Sequence, residues 1–181
     1  MTRLLLLCLV LLAPYAASRE LAIAVEELVT VEVRGVGVDP DTLSPAVMLV
    51  ERQGERMLPI YVGWTEAEAI ERARRRARPE RPLTHELLGD LLVAGGVELK
   101  RVIIDSLREG TYFAFLEVEV GERRRILHID ARPSDAIALA LRFGVPILVS
   151  RSLLRAPGEP EPPPPEDEVT ALLGGPPGRG S

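Results

Sequence analysis

From Leu28 the chain alternates. Val29, Val31 and Val33 are apolar while Thr30, Glu32 and Arg34 are polar, which is the period of two that a half-buried strand requires. The pattern predicts a strand over Leu28–Val38, closed by the turn signal Asp39-Pro40-Asp41. Apolar runs over Ala46–Val50 and Met57–Val62, with Gln53-Gly54 between them, predict a hairpin and complete a three-strand meander. Gly63 ends that unit. Thr65-Glu66-Ala67-Glu68-Ala69-Ile70 then reads as the start of a helix, capped by Thr65 and running to Ala77 before Pro79 stops it. A second helix opens at Pro82-Leu83-Thr84, capped by Thr84. Its Leu87, Leu88, Leu91 and Leu92 lie at helical spacing, and Gly95-Gly96 terminates it.

The two-residue period returns over Val97–Asp105, Thr111–Val120 and Arg124–Asp130, with turns at Arg108-Glu109-Gly110 and Gly121-Glu122. Pro133–Phe143 reads as a helix with proline at its first position and Gly144 just past its last. Pro146–Ser150 closes the pattern with a short strand. Strands come in runs rather than alternating singly with helices. The fold class is therefore α+β: mainly antiparallel β-meanders with three helices in a single compact domain.

The ends read differently. Residues 1–18 combine Arg3, an apolar run over Leu4–Ala13 and small residues in Ala16-Ala17-Ser18, the make-up of an export signal cleaved after Ser18. That reading places the protein in the periplasm or outside the cell; a misassigned start codon would place it in the cytoplasm. Residues 156–181 are rich in proline, glycine and acid and cannot bury enough apolar surface to order themselves, so they read as an extended tail. The folded core is thus residues 19–155. Of 22 basic and 27 acidic residues, residues 1–18 hold one base, and residues 156–181 hold one base and five acids; the core keeps a net charge of −2 against −5 for the chain. Its near-neutrality allows a local basic face. A single cysteine, Cys8, excludes a disulfide framework and a cysteine-based zinc module. Phosphate-loop signatures are absent, and no apolar run reaches the ~20 residues of a membrane span.

Three segments carry candidate chemistry. In Asp130-Ala131-Arg132-Pro133-Ser134-Asp135, two carboxylates and a guanidinium fall where a strand passes into a helix; they can hold a divalent cation and clamp a phosphate, or simply cap the helix and pair at the corner. Arg81-Pro82-Leu83-Thr84-His85-Glu86 sets an arginine, a hydroxyl, a histidine and an acid at a helix start, where the dipole favours an anion and His85 can act as general acid or base; a plain capped helix gives the same pattern. Six arginines lie between Arg72 and Arg81, acids ahead of them. This suits the helix dipole as a solvated face or makes a polyphosphate-binding surface, although no aromatic residue interleaves for base stacking. His128 and Asp130 share a strand face, an arrangement more common in packing than in metal ligation.

Together Leu58-Pro59-Ile60-Tyr61-Val62-Gly63 with Glu66-Ala67, Arg81-Pro82-Leu83-Thr84-His85-Glu86-Leu87-Leu88, and Asp130-Ala131-Arg132-Pro133-Ser134-Asp135-Ala136-Ile137-Ala138-Leu139-Ala140 resemble the bifunctional nuclease family over residues 28–153. The family pattern favours Trp at Tyr61 and Asp at Glu86. The resemblance implies a homo-oligomeric α+β domain that hydrolyses phosphodiester bonds of DNA and RNA with Mg²⁺ or Mn²⁺. On that reading Asp130 and Asp135 bind the metal with Glu66 or Glu86 as a further ligand. Arg81, Thr84, Arg132 and Ser134 hold the scissile phosphate, and His85 assists proton transfer. The alternative is a non-catalytic oligomeric module with an anion-binding or small-ligand cleft, in which these residues cap helices or shape an interface.

Overall fold

The alternation of Leu28–Val38 is realised as β1, whose Val29 and Val31 point into the core. A register shift between Val33 and Gly35 then re-phases the strand so that Val36 faces Val47 on β2 (Pro45–Glu51). Met57–Tyr61 forms β3, returned to β2 by a tight connection that Glu51 and Arg56 close with a paired carboxylate–guanidinium contact at 2.8 and 3.0 Å. The computed structural model describes residues 27–159; the expected leader over residues 1–18 and most of the expected tail over 156–181 lie outside the described residues. Arg155, the last residue of the expected core, bridges to Met57, and Leu154 before it is buried.

The second meander is β4 (Val97–Arg108), β5 (Thr111–Val120) and β6 (Arg125–Ala131), antiparallel throughout. The two meanders do not form separate sheets. The four-residue β7 (Ile147–Ser150) lies between them, antiparallel to β1 and parallel to β4, giving one seven-stranded sheet of order β3-β2-β1-β7-β4-β5-β6. Its Ile147, Val149 and Ser150 are buried, consistent with pairing on both edges.

Three helices, α1 (Trp64–Arg74), α2 (Thr84–Ala94) and α3 (Pro133–Phe143), cover one face of this sheet. Ile70 of α1 and Ala136–Ala140 of α3 share one buried cluster with Val31, Leu49, Ile60, Val102, Leu116 and Val149. Every residue from Ala136 to Ala140 is buried, so α3 is the central helix rather than an amphipathic surface one. α1 and α3 pack directly against each other.

α3 spans Pro133–Phe143 with Gly144 past it and α2 stops at Gly95, as expected, but both ends of α1 and the start of α2 differ. Gly63, not Thr65, caps α1, and Leu83, not Thr84, caps α2; in neither case does the cap side chain accept a hydrogen bond. The capping in α2 comes from the opposite partner: the Glu86 carboxylate reaches back and accepts the Leu83 N–H at 3.1 Å. The α1 helix stops at Arg74 rather than Ala77, because Arg76 takes a left-handed conformation with φ 54°. Its N–H donates to the Ala73 carbonyl and that of Ala77 to the Arg72 carbonyl, which is the paired-bond termination usually built on glycine. Leu87, Leu88 and Leu91, expected on a core-facing stripe, are exposed.

Candidate active site

The long connection between α1 and α2 and the sharp turn from β6 into α3 bring three helix starts to one place. Glu66 lies in the first turn of α1, His85 is the second residue of α2, Arg132 caps α3 and Asp135 is its third residue. Their side chains meet. The His85 imidazole Nε2 is 2.9 Å from Asp135 Oδ1, a contact across fifty positions of sequence. Arg132 donates Nε to Asp135 Oδ2 at 2.8 Å and Nη2 to Asp135 Oδ1 at 3.1 Å, and the same Nη2 lies 3.1 Å from Glu66 Oε1. Burial of the Asp135 carboxyl pushes its pKa up, but the hydrogen bonds from Arg132 and His85 outweigh burial and hold it below the ordinary aspartate range. The Arg132 guanidinium is raised by the same Asp135 contact and stays charged.

This arrangement sets the tautomer. An ionised Asp135 only accepts, so Nε2 of His85 carries the hydrogen and the neutral ring presents Nδ1 as its basic nitrogen. Arg132 is held at its Nε and Nη2 edge, and its side chain remains 64% exposed. A fixed base beside an exposed, fixed guanidinium can bind a phosphate and move a proton next to it.

The other candidates sit elsewhere. Asp130 pairs in register with Phe115, and strand alternation places Ala131 and Leu127 toward the helices and Asp130 with His128 on the opposite, helix-free face. The sheet therefore separates Asp130 from Asp135, although only five residues divide them. On that far face the buried Glu117 carboxylate accepts Arg101 Nη2 at 2.8 Å and lies 3.4 Å from His128 Nε2, an arrangement that neutralises Glu117 within the sheet. Glu86 is 6% exposed and directed at Leu83 N–H and, at 3.8 Å, Arg142, so its carboxylate serves the helix start and a helix–helix ion pair. Ser134 is buried, Thr84 is the exposed first residue of α2, and Arg81 is exposed in the loop before it. Arg142 was not among the sequence candidates; its pairing with Asp90 and Glu86 joins α3 to α2 over some fifty positions and leaves no local signal.

The expected Mg²⁺ or Mn²⁺ can be tested against these donors. Among the described residues no group of three or more His, Cys, Asp or Glu side chains could hold a metal ion. Glu66 and Asp135 do approach each other, but the Arg132 guanidinium lies between them and takes the position a shared cation would need. As arranged, these side chains do not fit a divalent cation.

A model of the bifunctional nuclease domain matches residues 47–161. The chain is 41% identical over 143 residues to an uncharacterized protein of Mycobacterium tuberculosis, covering 79% of this chain and 84% of that one. It is 32% identical over 127 residues to bifunctional nuclease 2 of Oryza sativa subsp. japonica, covering 69% of this chain and 39% of the rice protein. Bifunctional nuclease 2 of Arabidopsis thaliana is 30% identical over 116 residues, 64% of this chain and 35% of the plant protein. The chain thus spans well under half the length of these plant relatives.

Proposed function

The chain belongs to the bifunctional nuclease domain family, and on that premise we propose that it hydrolyses phosphodiester bonds of DNA and RNA at the His85–Asp135–Arg132 cluster. The observation that carries this is the 2.9 Å His85–Asp135 contact, which joins two helix starts and leaves a basic nitrogen beside an exposed arginine. Arg132 holds a non-bridging phosphate oxygen. His85 takes a proton at Nδ1 from an attacking water, whose oxygen bonds to phosphorus, and returns it to the leaving ester oxygen as the P–O bond breaks. Asp135 steadies the imidazolium between these transfers. Glu66 keeps Arg132 in place from α1. No step is routed through a metal. The leader over residues 1–18 directs the enzyme out of the cytoplasm, so its substrate is external nucleic acid; native protein beginning at Arg19 supports this, and native protein beginning at Met1 does not.

The test is cleavage of fluorescent single-stranded DNA and RNA by purified protein, His85→Ala and Asp135→Asn, each with and without EDTA. The expected result is a loss of about 10²–10⁴-fold in both variants, each still folded with a single cooperative melt and Asp135→Asn somewhat less stable than the parent, and no effect of EDTA on the parent. Equal cleavage by all three proteins would assign the activity to a contaminant and overturn the reading. Full loss in EDTA would restore the metal.

A second reading, self-association, is favoured by one observation. Leu87 and Leu91, one turn apart on α2, are 51% and 60% exposed, with Leu83 and Leu88 beside them. Four exposed leucines close together on one helix are the kind of apolar strip that marks an interaction surface. A second copy of the chain, meeting α2 against α2 about a two-fold axis, buries the strip with its own equal. Light scattering of the eluted protein is expected to give a dimer, and Leu87→Glu with Leu91→Glu a folded monomer. A parent that elutes as a monomer sinks it.

A further inference from the structure

The run of arginines after α1 is divided by the fold. Arg72 pairs with Glu68, and Arg74 and Arg75 both pair with Glu71, whose carboxyl the Arg74 hydrogen bond and its neighbours hold down at about 2. These three belong to the helix. Arg76 and Arg78 have no acidic partner among the described residues, and both line a cavity of about 330 Å³. The α3 side of that cavity supplies Arg142, Phe143 and Gly144, and α2 supplies Glu86. Three arginines and one glutamate line it, and the glutamate's carboxylate is already engaged with Arg142 and the Leu83 N–H.

The backbone adds a second observation. The α1 and α3 helices both end at this cavity with a left-handed residue. In α3 it is Gly144 at φ 68°, the residue that takes this conformation without strain. In α1 it is Arg76 at φ 54°, where a side chain is disfavoured. A strained residue that carries a charge into a cavity points to a use for the charge.

The position of the cavity relates it to the active cluster. Asp135 and Arg142 are seven residues apart on α3, a rise of ~10 Å, and Glu66 and Ala73 are as far apart on α1. The first turn of α2 lies between, with His85 reaching one site and Glu86 the other. We propose that the Arg76–Arg78–Arg142 cavity is a second anion site, binding a neighbouring phosphate of the same nucleic-acid strand whose scissile phosphate lies at Arg132. This rests on the nuclease reading above and adds to it a path for the strand along the α1–α3 pair.

The experiment measures binding of a fluorescent single-stranded DNA by anisotropy in a His85→Ala background, which keeps the strand intact, with and without Arg76→Gly plus Arg78→Ala. The pair of substitutions is expected to weaken binding about tenfold or more. It should lower the slope of log affinity against log salt by about 0.7, the share of one lost phosphate contact on a single strand. Melting is expected to be unchanged or higher, since glycine relieves the left-handed position, so the loss cannot be assigned to unfolding. Unchanged affinity and slope overturn the proposal, as does a parent that binds no strand. Cleavage by the protein with His85 intact is read separately. Binding that needs Arg76 and Arg78 without any cleavage sustains the cavity and removes hydrolysis; cleavage that needs His85, with binding indifferent to the two arginines, removes the cavity alone.

Discussion

Asp135 has two partners of opposite exposure: Arg132, three residues before it and mostly in solvent, and His85, brought from another helix and half-buried. Both favour the ionised carboxylate, and together they overcome the burial that disfavours it. The folded-state pKa is therefore depressed below the ~3.9 of a free aspartate. A depressed carboxylate adds stability that is fully present above the unfolded pKa and disappears as pH falls through the folded one. The difference in melting temperature between the parent and Asp135→Asn is expected to be constant above about pH 5 and to shrink steadily below pH ~4. A difference that grows on acidification would show the pair to be unfavourable. Asp130, an equally acidic neighbour in sequence, is expected to give no comparable effect through this cluster, because alternation along β6 turns it to the other face of the sheet.

At the scale of an element, α2 is held to α3 by an arginine that requires a glycine. A Cβ built on Gly89 would meet Arg142 Nε at 2.7 Å and Cδ at 3.0 Å, within the reach of the Arg142 pairs to Glu86 and Asp90. Glycine inside a helix ordinarily costs about 0.5–1 kcal/mol relative to alanine. Gly89→Ala is nevertheless expected to destabilise the protein, because it displaces Arg142 and leaves the buried Glu86 short of a partner, at about 1–3 kcal/mol. The same substitution in an Arg142→Ala background is expected to stabilise by about 0.5–1 kcal/mol. Denaturant melts of the four proteins decide this; the same sign in both backgrounds would show that the close approach does not matter. The strands and helices themselves were readable from periodicity, and the order β-β-β-α-α-β-β-β-α-β is the observed one. The starts of α1 and α2 were not readable: Thr65 and Thr84 look like caps, but the chain enters each helix one or two residues earlier, and in α2 the Glu86 carboxylate rather than the cap side chain accepts the Leu83 N–H.

For the whole molecule the decisive piece is β7. Two meanders that each look like a unit in sequence become one sheet because four residues pair with Leu28–Val31 on one side and Val102–Ile104 on the other. Both halves then share the core that α3 fills. Unfolding is expected to be a single cooperative transition, the same by fluorescence and circular dichroism. Leu148→Pro, which inserts a residue without an N–H into a strand paired on both edges, is expected to cost 3 kcal/mol or more and to disrupt both halves together. Two separate transitions, or a variant that loses only one half, would show the sheet to be divisible.

The order and type of the elements, the family, and the residue types of the candidate cluster were all set by local sequence, because hydrophobic period, turn residues and short motifs act over a few positions. Tertiary structure alone decided which of the marked acids meet. Asp135, His85 and Glu66 converge because three helix starts are packed at one end of the α-layer, while Asp130 and Glu86, adjacent to them in the chain, are turned away by a strand's two-residue alternation and by the 100° step of a helix. The same packing sorted the arginines, giving some to glutamates on their own helix and leaving others at a cavity that exists only where α1 and α3 end together. Charge can be counted along a chain, but its partners are assigned by distances in space that no local pattern encodes.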